Sequence, residues 1–409
     1  MARTFAQPWS LVPRHPATSA SSAGLSDRVF SDLLARARSQ PGTVHPLHVG
    51  DSWLEPFAAA RVEMRRVATT PRLHGYAPVQ GEPALLDAFV ADVERRTGLR
   101  LDREALQVTA GATAGVTHVV ATLTEPGDEV VVLAPYWPLV RGIVQLRGAR
   151  VVEVPFFDRL DAPDFDPERA LAEALTDRTV ALYLNSPNNP TGRVLPVDVV
   201  DRLLALAVRH DLWVIADEAY EELVYGARSA APVWTRPGAA GRTLAVHTMS
   251  KGWAMAGARV GLVHGPIEPM RRLRGVQTFS VYCAPRPMQL GAAVALREGR
   301  GWLEAARALY AQAATMAASA LGVPPPEGGT FLFFDATPHL RAGETLADWL
   351  ARCVDAGVLL TPGGASGRGY ENWARLCFTC VPPDQLADAL ERLRRVLAPC
   401  AASRGVTPT

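Results

Sequence analysis

The chain has 409 residues, enough to bury a large core shared between a larger and a smaller domain. Its 42 Lys+Arg balance 41 Asp+Glu to a formal net charge of +1, which leaves no electrostatic footprint for nucleic acid or an anionic membrane. No apolar stretch approaches the ~20 residues that span a bilayer, so the expected partners are small neutral or zwitterionic molecules.

The first two dozen residues are rich in Pro and Ser and lack the basic and apolar regions of a secretory signal. Residues 1–25 are therefore expected as an irregular arm. From residue 83 the pattern alternates between a helix (PALLDAFVADVERR), a strand (ALQVTAG), a helix (GVTHVVATL) and a strand (DEVVVLAP). Further strands are expected at 151–156, 179–186, 212–218, 243–250 and 258–265. Alternation of this kind argues for an α/β fold with a mainly parallel central sheet flanked by helices, here a large domain over residues 61–290. The glycine-rich GGASGRG (363–369) reads as a mobile loop. Strands at 330–335 and 374–379 and helices at 346–355 and 385–396 follow the large domain. They make a smaller α+β domain from residues 26–60 and 291–409.

Ligands of open α/β sheets bind at the carboxyl ends of strands, where Asn185, Asp217 and Ser250 are expected. The segment HTMSKGWAMAGARVG brings Thr248, Ser250, Lys251 and Arg259 within twelve residues. Its hydroxyls and arginine suit a phosphate, and its lysine suits an aldehyde. Of the 42 cations, 41 are arginine and Lys251 is the one lysine. Arginine stays protonated where a lysine can be tuned to a free amine. Gly111, Ala112 and Thr113 open a helix directly after a strand, where backbone N–H groups favour an anion; the same turn also serves as a plain strand–helix connection. Asp217 ends an apolar strand, and a buried carboxylate there needs a partner: a helix cap, or a pyridinium nitrogen whose charge makes a ring accept electrons. Tyr220 and Asn189 can reach that ring's phenolic oxygen. Cys377 and Cys380 fall three apart in an expected strand and so on opposite faces. His45 and His48 lack further ligand spacing, and no metal site is expected. The five cysteines are scattered, as in a reduced cytoplasmic protein.

Together these stretches resemble the fold-type I pyridoxal-phosphate enzymes, specifically the class I/II aminotransferases. The matching segments are YAPVQGEPALLDA (76–88), PGDEVVVLAPYWP (126–138), LNSPNNPTGRV (184–194), DEAYEELVY (217–225), SKGWAMAGARVG (250–261) and ARLCF (374–378). The resemblance implies pyridoxal 5'-phosphate held as a Schiff base on Lys251, with Asp217 on the pyridine nitrogen and Tyr220 and Asn189 on the phenolic oxygen. It places Trp137 against the ring, counts Asn185 among the cofactor-binding residues, and forms a phosphate cup from Gly111, Ala112, Thr113, Thr248, Ser250 and Arg259. Tyr76 would complete the cup of a neighbouring subunit in a homodimer. Gly50, Trp137, Asn189 and Arg375 would border the substrate, with Arg375 clamping its α-carboxylate.

The implied reaction moves an amino group between an α-amino acid and a 2-oxo acid in a ping-pong cycle. The same lysine linkage also serves lyases, cyclases, racemases and oxidases. Two departures stand out: Ala110-Gly111 where many relatives carry Asn-Gly, and LHVGDSW in place of the common glycine-glutamate-proline. Trp53, Tyr136, Phe279, Tyr282 and Phe331, on segments expected around the pocket, point to an aromatic or bulky uncharged amino acid.

Overall fold

The computed structural model describes residues 20–22, 25, 33–226 and 231–397; the arm expected over residues 1–25 lies almost wholly outside them. After a short helix α1 (Leu34–Arg38) come α2 (Pro83–Thr97), β1 (Leu106–Thr109), α3 (Gly111–Leu123), β2 (Glu129–Ala134), α4 (Leu139–Leu146), β3 (Arg150–Pro155), α5 (Pro167–Ala172) and β4 (Thr179–Asn185). The chain continues through α6 (Val197–Arg209), β5 (Trp213–Asp217), β6 (Thr243–Thr248), β7 (Gly261–His264), α7 (Ile267–Ser280), α8 (Arg286–Glu298) and α9 (Arg300–Leu321). It closes with β8 (Phe331–Asp335), α10 (Leu346–Asp355), β9 (Thr361–Pro362), β10 (Trp373–Cys377) and α11 (Pro383–Leu397). No helix among the described residues is long and apolar enough to cross a membrane.

The first seven strands form one sheet in the order β1-β7-β6-β5-β4-β2-β3. β3, β2, β4, β5 and β6 run parallel, while β7 is antiparallel to both β6 and β1. The last of these strands is shorter than the sequence implies because Ala256–Ala258 make a 3-10 turn and Arg259 takes a left-handed conformation at φ 51. Apolar runs such as Val130–Leu133 are buried on both faces, as parallel sheets covered by helices require. Val131, Leu182 and Val214 pack on one side with α6, while Val132, Tyr183 and Ile215 pack on the other with α3. β2 and β3 build outward to one edge, and β4 to β7 build toward the other. The carboxyl ends of β2 and β4 therefore flank the switch point where such sheets bind ligands.

A second, three-stranded antiparallel sheet has the order β8-β10-β9. Trp349, Leu332, Leu376 and Leu390 form its core with Leu47, which arrives from the amino-terminal side. A small cluster of Tyr220, Leu223, Tyr310, Phe331 and Cys377 joins the two sheets. Residues 363–369 are not a free loop: Ser366 is buried, its carbonyl accepts from the Tyr136 N–H at 2.9 Å, and the Arg368 N–H donates to Glu153 at 2.9 Å.

Helix α10 opens with a reciprocal cap between Thr345 and Asp348. Just before it, Glu344 accepts two bonds from Arg352, at 2.6 and 2.8 Å, and one from the Arg341 N–H at 2.7 Å. The Arg352 guanidinium thus holds this carboxyl down to about 2 from an ordinary 4.5. Because the folded value lies below the unfolded one, the stabilisation is complete above pH 4.5 and is lost as pH falls through about 2. Glu344→Gln is therefore expected to lower the free energy of unfolding at neutral pH, with the deficit against wild type narrowing on acidification across that window. A pH-independent deficit in denaturant titrations would contradict the role of the charge.

Candidate active site

Asn185, at the end of β4, organises the loop that follows it. Its amide nitrogen donates to the Asp217 carbonyl at 2.9 Å, and its amide oxygen accepts the Asn189 N–H at 2.8 Å. Asn189, thus returned to the sheet edge, donates to the Tyr220 hydroxyl at 3.2 Å and accepts from Arg375 at 3.0 Å. Five expected site residues from three distant segments are joined in one buried chain of hydrogen bonds.

On the neighbouring strand Asp217 is buried. Burial pushes its carboxyl above the ordinary aspartate range, and two donors oppose that push: the Tyr183 hydroxyl on Oδ2 at 2.5 Å and the Ala219 N–H on Oδ1 at 3.1 Å. His247 and Lys251 lie close enough to act on the same carboxylate. Tyr183 is not among the residues the sequence singles out, since TVALYLNS reads as a core strand. The available signal was the phenol itself, because a buried tyrosine hydroxyl needs a partner.

Beyond β6, Thr248 donates to Ser250 at 2.9 Å, and the Lys251 amine donates to the Gly50 carbonyl at 2.6 Å. Burial, reinforced by Arg375 and Arg259, holds the Lys251 ammonium below its ordinary value, the direction a nucleophilic amine requires. Facing this segment is the start of α3. Gly111 has φ +79, and a Cβ there would strike the Arg259 guanidinium. Only glycine lets that cation lie across the first turn of the helix. Ala112, Thr113, Thr248, Ser250 and Arg259 line one end of the cleft. This donor set, with the amino end of α3, fits a phosphate. Trp137, Asp217, Asn189 and Tyr220 line the middle. There a flat ring with a basic nitrogen and an oxygen substituent would find a matching carboxylate, amide and phenol.

The other wall comes from the second sheet. Arg375 on β10 is only 3% exposed, donates to the His48 carbonyl at 3.2 Å, and lies 4.2 Å over the Phe331 ring. Phe331 in turn occupies the space a side chain at position 50 would need. Val49, Leu139, Ala219 and Ala256 also line the cleft, although the sequence did not mark them.

Other expected positions lie elsewhere. Tyr76 is 81% exposed and stacks edge-on against Tyr282, outside the cleft of its own chain. Of the five aromatic residues expected around the substrate, Phe331 lines the cleft. Tyr136 turns away to Glu153 and Arg141, Phe279 is 94% exposed, Tyr282 is exposed, and Trp53 does not reach the lining. The opposite-face expectation for Cys377 and Cys380 does not hold, because the strand ends at Cys377 and the chain bends so that the Cys380 thiol donates to the Cys377 carbonyl at 3.3 Å. His45 pairs with Asp388 at 2.8 Å.

Gly50→Ala is expected to displace Phe331 and destabilise the fold by about 1–3 kcal/mol, the usual cost of overpacking. Adding Phe331→Leu should recover part of that loss. No recovery in thermal unfolding of the double variant would contradict the packing of the ring on Gly50.

Residues 43–393 match the family model described as aminotransferase class I and II. The chain is 33% identical over 381 residues to the aspartate/prephenate aminotransferase of Thermus thermophilus, covering 90% of this chain and 91% of that one. It is 34% identical to the arginine–pyruvate transaminase of Pseudomonas aeruginosa, over 80% of this chain and 82% of the other. A tetra mutant of the Thermus thermophilus aspartate aminotransferase complexed with tryptophan superposes with a TM-score of 0.85 at 30% identity, covering 94% of this chain and all of that one.

Proposed function

The chain belongs to the class I and II aminotransferases, fold-type I transferases acting on amino acids, and we propose that its cleft holds pyridoxal 5'-phosphate on Lys251 and serves an aromatic or bulky uncharged amino acid. The observation that carries this reading is the convergence of one half-buried amine, one buried carboxylate and one anion cradle on a single cleft. When bound, the cofactor supplies an aldehyde that bonds amines and an electron-poor ring that takes up negative charge. The rest falls to the protein's own side chains. Arg375, already oriented by Asn189 and the His48 carbonyl, clamps the substrate α-carboxylate. The Lys251 amine would remove the proton from the substrate α-carbon. Asp217 would hold a proton on the ring nitrogen, Asn189 and Tyr220 would hold the phenolic oxygen, and Trp137 would cover the ring face. The cup of Gly111, Ala112, Thr113, Thr248, Ser250 and Arg259 anchors the phosphate.

The substrate side chain meets Val49, Leu139, Trp137 and Phe331, apolar surfaces that favour a large uncharged group. The relatives' names include acidic and basic substrates, so the choice rests on this lining. The enzyme acts as a homodimer in the cytoplasm. Tyr76, Tyr282 and Phe279 are exposed and largely apolar, and Tyr76 stacks edge-on against Tyr282. This is a face suited to a second copy, whose phosphate cup Tyr76 would complete.

Lys251→Ala is expected to abolish turnover and covalent retention of the cofactor, there being no second lysine to substitute. Borohydride-trapped cofactor on any other residue would overturn that assignment. Steady-state assays should give kcat/KM at least about tenfold higher for phenylalanine or tryptophan than for aspartate, about 1.4 kcal/mol in transition-state binding. Equal or better use of aspartate would contradict the pocket described. In sedimentation the active form should be a dimer, and an active monomer would remove Tyr76 from the site.

A further inference from the structure

Asp217 and Tyr183 occupy adjacent parallel strands in a register that makes their contact specific to this pair of side chains. Asn185 lies beside Asp217 and Tyr183 beside Ile215, so Tyr183 stands two residues upstream of the aspartate's level, about 6.6 Å along the strand, on the same face of the sheet. A phenol is long enough to cover that interval, whereas a serine or threonine hydroxyl on the same backbone would stop short. The ring is packed among Val130, Val132, Ile215 and Val246, and its hydroxyl leaves this apolar cluster only to donate to Asp217 Oδ2 at 2.5 Å. The other oxygen of Asp217 accepts from the backbone of Ala219. One donor on each oxygen fixes the rotation of the carboxylate before anything binds. The remaining titratable groups around Asp217 are His247 and Lys251, on and after β6, and Glu218 and Tyr220 on its own turn.

We propose that Tyr183 is a positioning residue for the reaction: by donating to Oδ2 it fixes the orientation of the Asp217 carboxylate and weakens it as a base, so that a proton shared with the cofactor's ring nitrogen stays on the ring. This rests on the assignment of Asp217 to that nitrogen. Burial alone makes a carboxylate a stronger base, because its charge is poorly solvated, and a hydrogen bond donated to the charged form opposes this. Tyr183 itself is held as a neutral donor by burial and by the adjacent Asp217 charge. Without the hydroxyl, Asp217 would draw the shared proton toward itself, and the ring would attract electrons less strongly.

The test is Tyr183→Phe in the holoenzyme, which removes one oxygen and keeps the packing. Three quantities are read: the pH at which the bound cofactor's visible absorbance changes, the separate kcat and KM, and the melting temperature. The expected result is an upward shift of the absorbance transition by about half a pH unit or more and a fall in kcat of about tenfold, with KM changed less than about threefold. Site-specific 3-fluorotyrosine at position 183, a more acidic donor of nearly the same shape, should move the transition the other way. That arm decides the matter if Tyr183→Phe does not fold. A lower melting temperature with the absorbance transition and kcat unmoved would make Tyr183 a packing residue and overturn the inference. Asp217→Ala is measured alongside: if it too leaves both quantities unmoved, the failure lies in the assignment of Asp217 itself.

Discussion

A carboxylate at the end of a fully buried strand has to be held by donors, charges or a ligand, because the interior solvates it poorly. Asp217 is such a group, and much of the surrounding structure answers to it. Tyr183 reaches it from β4 and the Ala219 N–H from its own turn. Asn185 secures the backbone carbonyl of the same residue. The turn that begins at Asp217 then divides its side chains between two environments. Tyr220 enters the cleft, while Glu221 and Glu222 face a buried cluster in which Arg96 meets both, Arg300 meets Glu222 and Asp92, and His247 bonds Glu221 at 2.7 Å. That cluster ties the turn to α2, β6 and α9, so the catalytic face of the turn is backed by charge pairs on its far side.

The second sheet brings a further cation, Arg375, to the cleft, the one proposed to clamp the substrate carboxylate. Arg375 is buried, which lowers its guanidinium from the usual value, and it is compensated by Asn189, by the His48 carbonyl and by the face of Phe331. Its placement depends on Gly50, whose missing side chain makes room for that ring. The loop LHVGDSW is therefore bound to Arg375 through a packing contact as well as through a hydrogen bond. The proposed substrate arginine and the joining of the two sheets thus rely on the same few side chains.

Much of this was legible in the sequence, for reasons that differ by residue. Lys251 stood out because arginine had replaced every other lysine, and Asp217 because a charge ended an apolar strand. Asn185 and Ser250 followed from the rule that sheet ligands bind at carboxyl ends of strands, and Thr248 from its place beside Lys251. The aromatic residues misplaced around the pocket lie outside strands. Trp53, Tyr136 and Tyr282 lie in irregular segments, and Phe279 at the end of a helix, where no alternation says which way a side chain points. The parity argument for Cys377 and Cys380 failed because the strand stops between them. Tyr183 was hidden for the opposite reason: it obeys the core pattern of its strand, and its role rests on the register between β4 and β5, which a single sequence does not display. The glycine-rich 363–369 segment looked mobile from composition, yet its backbone is bonded to Tyr136 and Glu153.

The central claim is electrostatic: a buried carboxylate, weakened as a base by a tyrosine, keeps a proton on the cofactor's ring nitrogen. The most direct measurement is the 15N NMR shift of holoenzyme reconstituted with cofactor labelled at the ring nitrogen, recorded across the pH range in which the protein is folded. The account predicts a protonated nitrogen through neutral pH, moving toward the unprotonated shift in Asp217→Ala. An unprotonated ring nitrogen in the wild-type enzyme at neutral pH would contradict it.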